Sequence, residues 1–342
     1  ASLCVALAAL AVALMLRYGS AHDIGVGAAE DEPVVTIAPS YRDSDEQGQL
    51  DVYNYSSFAP MWHLRSDATD YCWRTDDFHG VPFSVEMADE EELDMDALTT
   101  YLLHKEQEWM QLPIRDWKDK AGSAYNTTSA RYDQYNVLAE ADTVPVIGAL
   151  QRFIRQSARR YLGCVASSEQ YFDSTQIAGD YFSQILAAVP PQPLYIMCWV
   201  NVFRADRKHA NALHWHLHNW PFQGYLSVTS EGSGTVFRSN VLPERRWRFD
   251  HKKGMLFILP GGTLHSSTPW TKPDEPRITV AFNLAPPANA RPHEPGFFGR
   301  WVWVELFSAE ELHEMRQRGE RWAMITQRPP NRYTTCMVTG SC

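Results

Sequence analysis

An α+β fold, with a helical layer packed against a β sandwich or barrel, is the class that this 342-residue sequence predicts. Two observations carry the prediction. Apolar residues recur at helical spacing in the first half of the chain. From residue 194 the pattern changes to short apolar, β-branched runs separated by Gly, Pro and Ser. Hydrophobic residues make up 44% of the chain, enough to bury a substantial core, so a broadly disordered chain is excluded.

Taken in order, "ASLCVALAALAVALML" is uncharged and apolar, and Gly19 and Ala21 beyond it have the small-residue spacing of a signal-peptidase site. Residues 1–22 therefore read as a signal peptide or signal anchor. Residues 23–60 are polar and acidic ("AAEDEP", "YRDSDEQGQ") and read as a linker or arm. "ADEEELDMDALTTYLLHKEQEWM" reads as a helix with an acidic first turn, which suits the positive end of the helix dipole. The acidic stretch around 86–96 reads as a solvated face. In "DTVPVIGALQRFIRQSARRYLG", Val146, Ile147, Leu150, Phe153, Ile154, Tyr161 and Leu162 form one apolar stripe. Asp142 or Thr143 can cap that helix, Pro145 suits its first turn and Gly163 its end. These helices place a helical buttress region at 61–190.

The strands follow at 194–203 ("LYIMCWVNVF"), 224–228, 235–238, 254–260 and 277–284 ("RITVAFNL"), close enough together for a sandwich or barrel. They define a β core over 191–300. A last helix is predicted over 308–324, with Ser308 and Glu311 as a capping box, in a C-terminal region 301–342.

The formal net charge is −10, which opposes general attraction to a nucleic-acid backbone. The six cysteines form no CxxC pair, which excludes a zinc ribbon. Cys198 reads as a core residue, and Cys336 and Cys342 can close a small loop in an oxidising compartment. Sequons at Asn54 and Asn126 fit a secretory route, with the protein membrane-anchored, lumenal or secreted.

"NALHWHLHNW" places His214, His216 and His218 at alternate positions. On a strand they share one face, with Trp215 and Leu217 on the other. Two imidazoles on one face can grip one metal, and a third ligand is available in His265 of "GMLFILPGGTLHSSTPW". His214 and His218 are too far apart on a strand to join His265 on one ion, so the metal site is three of these four residues, with His216 and His265 in either register. Twelve residues after His265 comes Arg277, and Thr279 shares its face. A guanidinium there suits a carboxylate, which it binds in a bidentate geometry. His209, His251 and His293 lack a partner pattern and read as exposed.

With these motifs on the page, the segment 194–285 resembles the double-stranded β-helix core of 2-oxoglutarate/Fe(II)-dependent oxygenases, in a His-x-His variant. "WVN", "HWHLH", "QGYLSV", "GMLFILPGGTLH" and "RITVAFN" match its elements in order, over roughly a quarter of the chain. The resemblance implies a jelly-roll or cupin-like barrel buttressed by helices. It implies Fe(II) and 2-oxoglutarate as cofactors, with Arg277 and Thr279 holding the distal carboxylate of the keto acid. It implies a dioxygenase that consumes O2, hydroxylates a small-molecule or protein substrate and releases succinate and CO2. The family supplies two histidines and one carboxylate to its metal; here the carboxylate position holds histidine. A cupin-type metalloprotein that uses no 2-oxoglutarate is the alternative, through "G-x5-P-x-G-x2-H" from Gly254 to His265, although Pro269 replaces its usual Asn. The cupin spacing selects His216, His218 and Gln223. An inactive binding module on the same barrel is a third reading.

Overall fold

The computed structural model describes residues 50–53, 71–74, 82–113, 128–166, 192–204, 215–216, 218, 220–238, 246–261, 263–270, 272, 274–286, 302–318 and 323–325. All of them belong to one unit spanning 47–342. The apolar segment and sites at 1–22, His209, His214, His293, Asn54, Asn126, Cys336 and Cys342 lie outside the described residues. Among the described residues, no helix is long and apolar enough to cross a membrane.

The strands are β1 (Leu50–Tyr53), β2 (Tyr71–Arg74), β3 (Pro82–Met87), β4 (Leu194–Phe203), β5 (Phe222–Ser227), β6 (Gly234–Arg238), β7 (Arg246–Asp250), β8 (Met255–Pro260), β9 (Leu264–Ser267), β10 (Arg277–Ala285), β11 (Val304–Phe307) and β12 (Ala323–Ile325). They form a large sheet, ordered β11-β4-β10-β5-β8-β3-β2-β12, and a small one, β1-β7-β6-β9. Antiparallel partners nest along the chain. β4 pairs with β10, His216 with β9, β5 with β8, and β6 with β7. A long antiparallel ribbon is thus folded on itself, and successive pairs alternate between the two sheets. That winding is a double-stranded β-helix, of the jelly-roll type.

The strands that read as continuous apolar runs are those buried on both faces. β8 and β10 are buried at every position. One face meets the helices, α1 (Met95–Trp109) and α2 (Pro145–Ala166), where Leu98, Leu102, Leu150, Ile154 and Tyr161 pack with Ile196, Cys198, Leu226, Ile258 and Phe282. Burial pushes the Cys198 thiol pKa up, as suits an inert core residue. A second core cluster holds Phe83, Val85, Phe237, Trp247, Phe249 and Phe257. Phe83 and Phe237 both stack on Phe257, at 5.3 and 5.4 Å. Gly224 in β5 permits this density: a Cβ there would press on the Phe282 ring and lie 2.6 Å from the Phe257 carbonyl oxygen.

Several elements differ from the sequence expectation. α1 begins at Met95, after the acidic run. Asp94 caps it by accepting from Asp96 N and Ala97 N at 3.0 and 2.9 Å, while Asp89 closes a separate turn onto Glu91 and Leu93. α2 continues past Gly163, which is buried inside it, because Tyr161 and Leu162 still pack on the sheet. The capping box of α3 (Ala309–Gln317) is present: Ser308 N donates to Glu311 Oε2 at 2.9 Å and Glu311 N to Ser308 Oγ at 3.2 Å. That helix is short, however, and residues 323–325 pair in parallel with β2 instead. β1 falls in the stretch read as linker and pairs with β7, and β2 and β3 fall in the stretch read as helical. Each of these strands is specified by a distant partner, which local periodicity does not report.

Glu86 also departs from expectation. It is buried rather than part of a solvated acidic face. It accepts from Ser157 Oγ at 2.7 Å and from Arg160 Nε at 3.0 Å on α2, and from Ser84 Oγ at 3.3 Å. It therefore ties α2 to β3. Glu86→Ala is expected to destabilise the protein by about 3 kcal/mol or more, because Arg160 and Ser157 lose a buried acceptor. Urea denaturation against Glu86→Gln, which keeps the shape and an acceptor, measures it. Elsewhere a cleft of about 420 Å³ between α2 and α3 is lined by Arg152, Arg155, Arg159, Phe307 and Glu314. It is part of the seam between those helices, which the Arg155–Glu311 ion pair crosses, while Arg318 pairs with Glu314 along α3 itself, and its lining contains none of the histidines.

Candidate metal centre

The histidine segment joins the small sheet through β9. His216 N donates to His265 O at 3.0 Å, and His265 N to His216 O at 2.9 Å. This two-bond bridge sets the two residues directly opposite each other. His218 follows two positions later and returns to the same place. The ring centroids are 4.2 Å apart for His216 and His265, 5.0 Å for His218 and His265, and 5.4 Å for His216 and His218. One nitrogen from each ring lies within 4.8 Å of the others, the spacing of ligands around a single ion. His216 is exposed, and His218 and His265 are half-buried, so the cluster sits at the rim of the barrel. Gly261 allows the approach: its amide donates to Pro221 O at 2.8 Å, and a Cβ there would overlap the Trp220 carbonyl.

Two of the rings are oriented from behind. His265 Nδ1 lies 2.9 Å from Thr263 O. A carbonyl can only accept, so Nδ1 carries the proton and Nε2 keeps its lone pair. His218 Nδ1 lies 2.7 Å from Asn283 Oδ1 and has the same tautomer when it donates to that oxygen. Burial first, then the neighbouring imidazoles, pull the His218 pKa down to about 3 and the His265 pKa well below the ordinary range. Both are neutral near pH 7, the state that binds a metal. Gln223, the third ligand of the cupin spacing, is buried, and its Oε1 has no hydrogen-bond partner. Its Nε2 donates to Pro260 O and Thr263 O, each at 3.4 Å, so it steadies the turn that leads to His265.

Further along the same strands lies a buried cation. Arg277 is 3% exposed, opens β10, and donates from Nη2 to Ser267 Oγ at 3.0 Å. Phe203 packs under its guanidinium, at 5.4 Å. Burial lowers its pKa to about 10, which still leaves it charged at neutral pH. Its Nε has no partner, and neither does the buried Ser227 Oγ, while the Tyr225 hydroxyl lies within reach of Thr235 and of the Arg277 charge. Thr279, which shares the Arg277 face, is engaged instead: its Oγ1 accepts from Asn201 Nδ2 at 3.2 Å. Tyr225 is the residue that sequence reading missed. The alternation Gln223, Tyr225, Ser227 in "QGYLSV" places it on the polar inner face of β5, and that was the available signal.

His251 is a correction. It reads as exposed, yet it is 4% exposed. Its Nδ1 lies 3.2 Å from Ser233 Oγ and its Nε2 2.9 Å from Thr235 Oγ1, so β6 and the residue just before it supply partners for both nitrogens. Burial, with Arg277 and Arg248 adding to it, holds the imidazole pKa well below its ordinary value. Below an unfolded pKa near 6.5 the unfolded chain binds a proton that the folded chain refuses, so stability falls as pH falls. His251→Gln is expected to flatten the loss of stability between pH 6.5 and 5 by about 1.4 kcal/mol per pH unit. Denaturant titrations at a series of pH values measure the slope, and an unchanged slope would exclude His251 as its source.

No protein-family model and no curated protein matches this chain. The solved structures it resembles are consistently 2-oxoglutarate/Fe(II) oxygenases. It is similar to a 2OG-Fe(II) oxygenase family oxidoreductase from Burkholderia pseudomallei, at 14% identity and a TM-score of 0.22, over 28% of this chain and 46% of that one. It is similar to SnoK, a non-haem α-ketoglutarate-dependent carbocyclase from nogalamycin biosynthesis, at 12% identity and 0.38, over 68% and 93%. It is also similar to the dioxygenase for auxin oxidation 1 of Arabidopsis thaliana, in complex with 2-oxoglutarate, at 11% identity and 0.35, over 70% and 93%. What the chain's own geometry defines is a double-stranded β-helix with a three-histidine cluster at its rim and a buried arginine in the same barrel.

Proposed function

We propose that this protein is a non-haem Fe(II), 2-oxoglutarate-dependent dioxygenase, in which His216, His218 and His265 hold the metal. The observation that carries the reading is the pairing of that cluster with Arg277, a buried guanidinium with an unpartnered N–H on the same strand as Asn283, which orients His218. The donor set fits the ion: imidazole suits iron, and three ligands on one side leave positions for a chelating keto acid and O2. Bound there, iron supplies the activation of O2, with decarboxylation of the keto acid to succinate and CO2 and oxidation of a C–H bond.

The chain's own residues do the rest. Thr263 and Asn283 fix the tautomers, so that two Nε2 lone pairs are presented without a proton to lose. Arg277 offers a charged donor with a free Nε–H to a distal carboxylate, and the Tyr225 hydroxyl lies close enough to feel that charge. Arg277 is itself buried, so a carboxylate bound to it would be held away from bulk water.

One observation favours a second reading, a cupin-type metalloprotein without 2-oxoglutarate: the described cluster holds three imidazoles and no carboxylate. The test is anaerobic loading with Fe(II), titration with 2-oxoglutarate, then admission of O2 with succinate quantified. Metal and keto-acid binding with succinate release is the expected result. Metal binding with no keto-acid binding would leave the second reading in place.

A further inference from the structure

We infer that this site chooses its metal as an all-imidazole site does, and that His218, standing where the resembled family places a carboxylate, sets that choice. The inference rests on the proposed reading that the cluster binds a metal. Among the described residues the ligand group is His216, His218 and His265, with no acid in it. The groups behind the rings are neutral as well: a backbone carbonyl at Thr263 and a side-chain amide at Asn283. Carboxylates commonly fill that supporting position and make the imidazole more basic. Among the described residues the buried acids Glu86 and Glu106 are paired with Arg160 and Arg204, and the buried Asp133 is not part of the ligand group. Arg277, buried in the same barrel, adds positive rather than negative charge.

A divalent ion here therefore keeps its full charge, and its affinity comes from nitrogen donation rather than from charge pairing. Hard ions such as Mg(II) and Mn(II), which are bound chiefly by oxygen and negative charge, lose most. Ions that favour imidazole, such as Co(II), Ni(II) and Zn(II), lose least. The site is expected to discriminate Co(II) from Mn(II) more steeply than a site with two histidines and a carboxylate, and to ignore Mg(II).

Competition titrations of the metal-free full chain, with Mg(II), Mn(II), Co(II) and Zn(II) against a chromophoric chelator, test this without any turnover. Co(II) and Zn(II) are expected to bind, and Mg(II) is not. His218→Asp is expected to narrow the ratio of Co(II) to Mn(II) affinity by about tenfold, since one nitrogen donor becomes an anionic oxygen. Asn283→Asp keeps the ligand count, places the negative charge behind His218, and should strengthen binding of every ion. It serves if His218→Asp does not fold. The visible spectrum of bound Co(II) reports whether a variant keeps the ion in the same surroundings. The same Co(II) to Mn(II) ratio in the wild type and in His218→Asp would overturn the inference while leaving the metal site in place. No binding of any ion by the wild type would overturn the metal reading itself, and this inference with it.

Discussion

His265→Ala is expected to leave a folded protein that no longer retains a stoichiometric metal ion. The two halves of that expectation have separate causes. The fold should survive because the contribution of His265 to the sheet is made by its backbone: both hydrogen bonds of the bridge to His216 use main-chain atoms, which alanine keeps. Its ring is half-buried at the rim and packs against Phe237 at 5.8 Å without filling the core beneath. The metal should be lost because one of three ligands is removed. Changes behind a ligand typically cost 10- to 100-fold in affinity, so loss of the ligand itself should cost more than about 100-fold. Metal content after exhaustive dialysis, alongside the melting temperature of the metal-free forms, separates the two effects. His216→Ala and His218→Ala should behave alike. The other register, His214 with His216, would show itself as metal retained in His218→Ala and lost in His214→Ala. Full occupancy in His265→Ala would remove the cluster from the metal site.

What could be read from the sequence, and what could not, follows from where the physical information lies. β4, β8 and β10 were legible because strands buried on both faces are written as apolar, β-branched runs. β7, "RWRFD", was passed over for its charges, although Trp247 and Phe249 point inward and Arg246 and Arg248 are only half-buried, a period of two in plain view. β1, β2 and β12 carry no such signal; they exist by pairing with β7 and β3 and with each other. The histidine register was ambiguous for a stricter reason. Side chains on a strand repeat every two residues, so a shift from His214 and His216 to His216 and His218 leaves the facing pattern unchanged. The bridge between His216 and His265, 49 positions apart in sequence, is what brings His218 to the cluster. His251 misled because a polar residue beside two lysines reads as surface, while its partners Ser233 and Thr235 lie at the start of β6, distant in sequence. Tyr225 carries no signal of its own in the sequence, since an aromatic in a strand reads as core packing, and only the nearness of its hydroxyl to Arg277 gives it a second task.

Arg277→Lys is expected to lower the affinity for 2-oxoglutarate by tenfold or more, or about 1.4 kcal/mol and upward, while the metal stays bound. Lysine preserves the positive charge, so a purely electrostatic role would survive the change. What it loses is the planar fork. In the present arrangement Nη2 is already spent on Ser267 Oγ, at 3.0 Å, and Nε is the buried donor without a partner. A carboxylate that accepts from Nε would satisfy this buried donor, with the Tyr225 hydroxyl close by, which is the physical reason to place the distal end of the keto acid there. Tyr225→Phe should weaken binding in the same direction, by about tenfold if its hydroxyl donates to that carboxylate, since a hydrogen bond to a charged group contributes about 1.5–3 kcal/mol. Metal-loaded protein under argon, titrated with 2-oxoglutarate, gives these affinities. Pyruvate supplies the control. It has the keto-acid end and lacks the distal carboxylate, so it should bind the wild type weakly and be indifferent to Arg277→Lys. If the substitution weakens both compounds equally, Arg277 acts through the shape of the barrel rather than on the carboxylate. If it weakens neither, the arginine is a structural cation under Phe203, and a metalloprotein that needs no keto acid becomes the better account of the same three histidines.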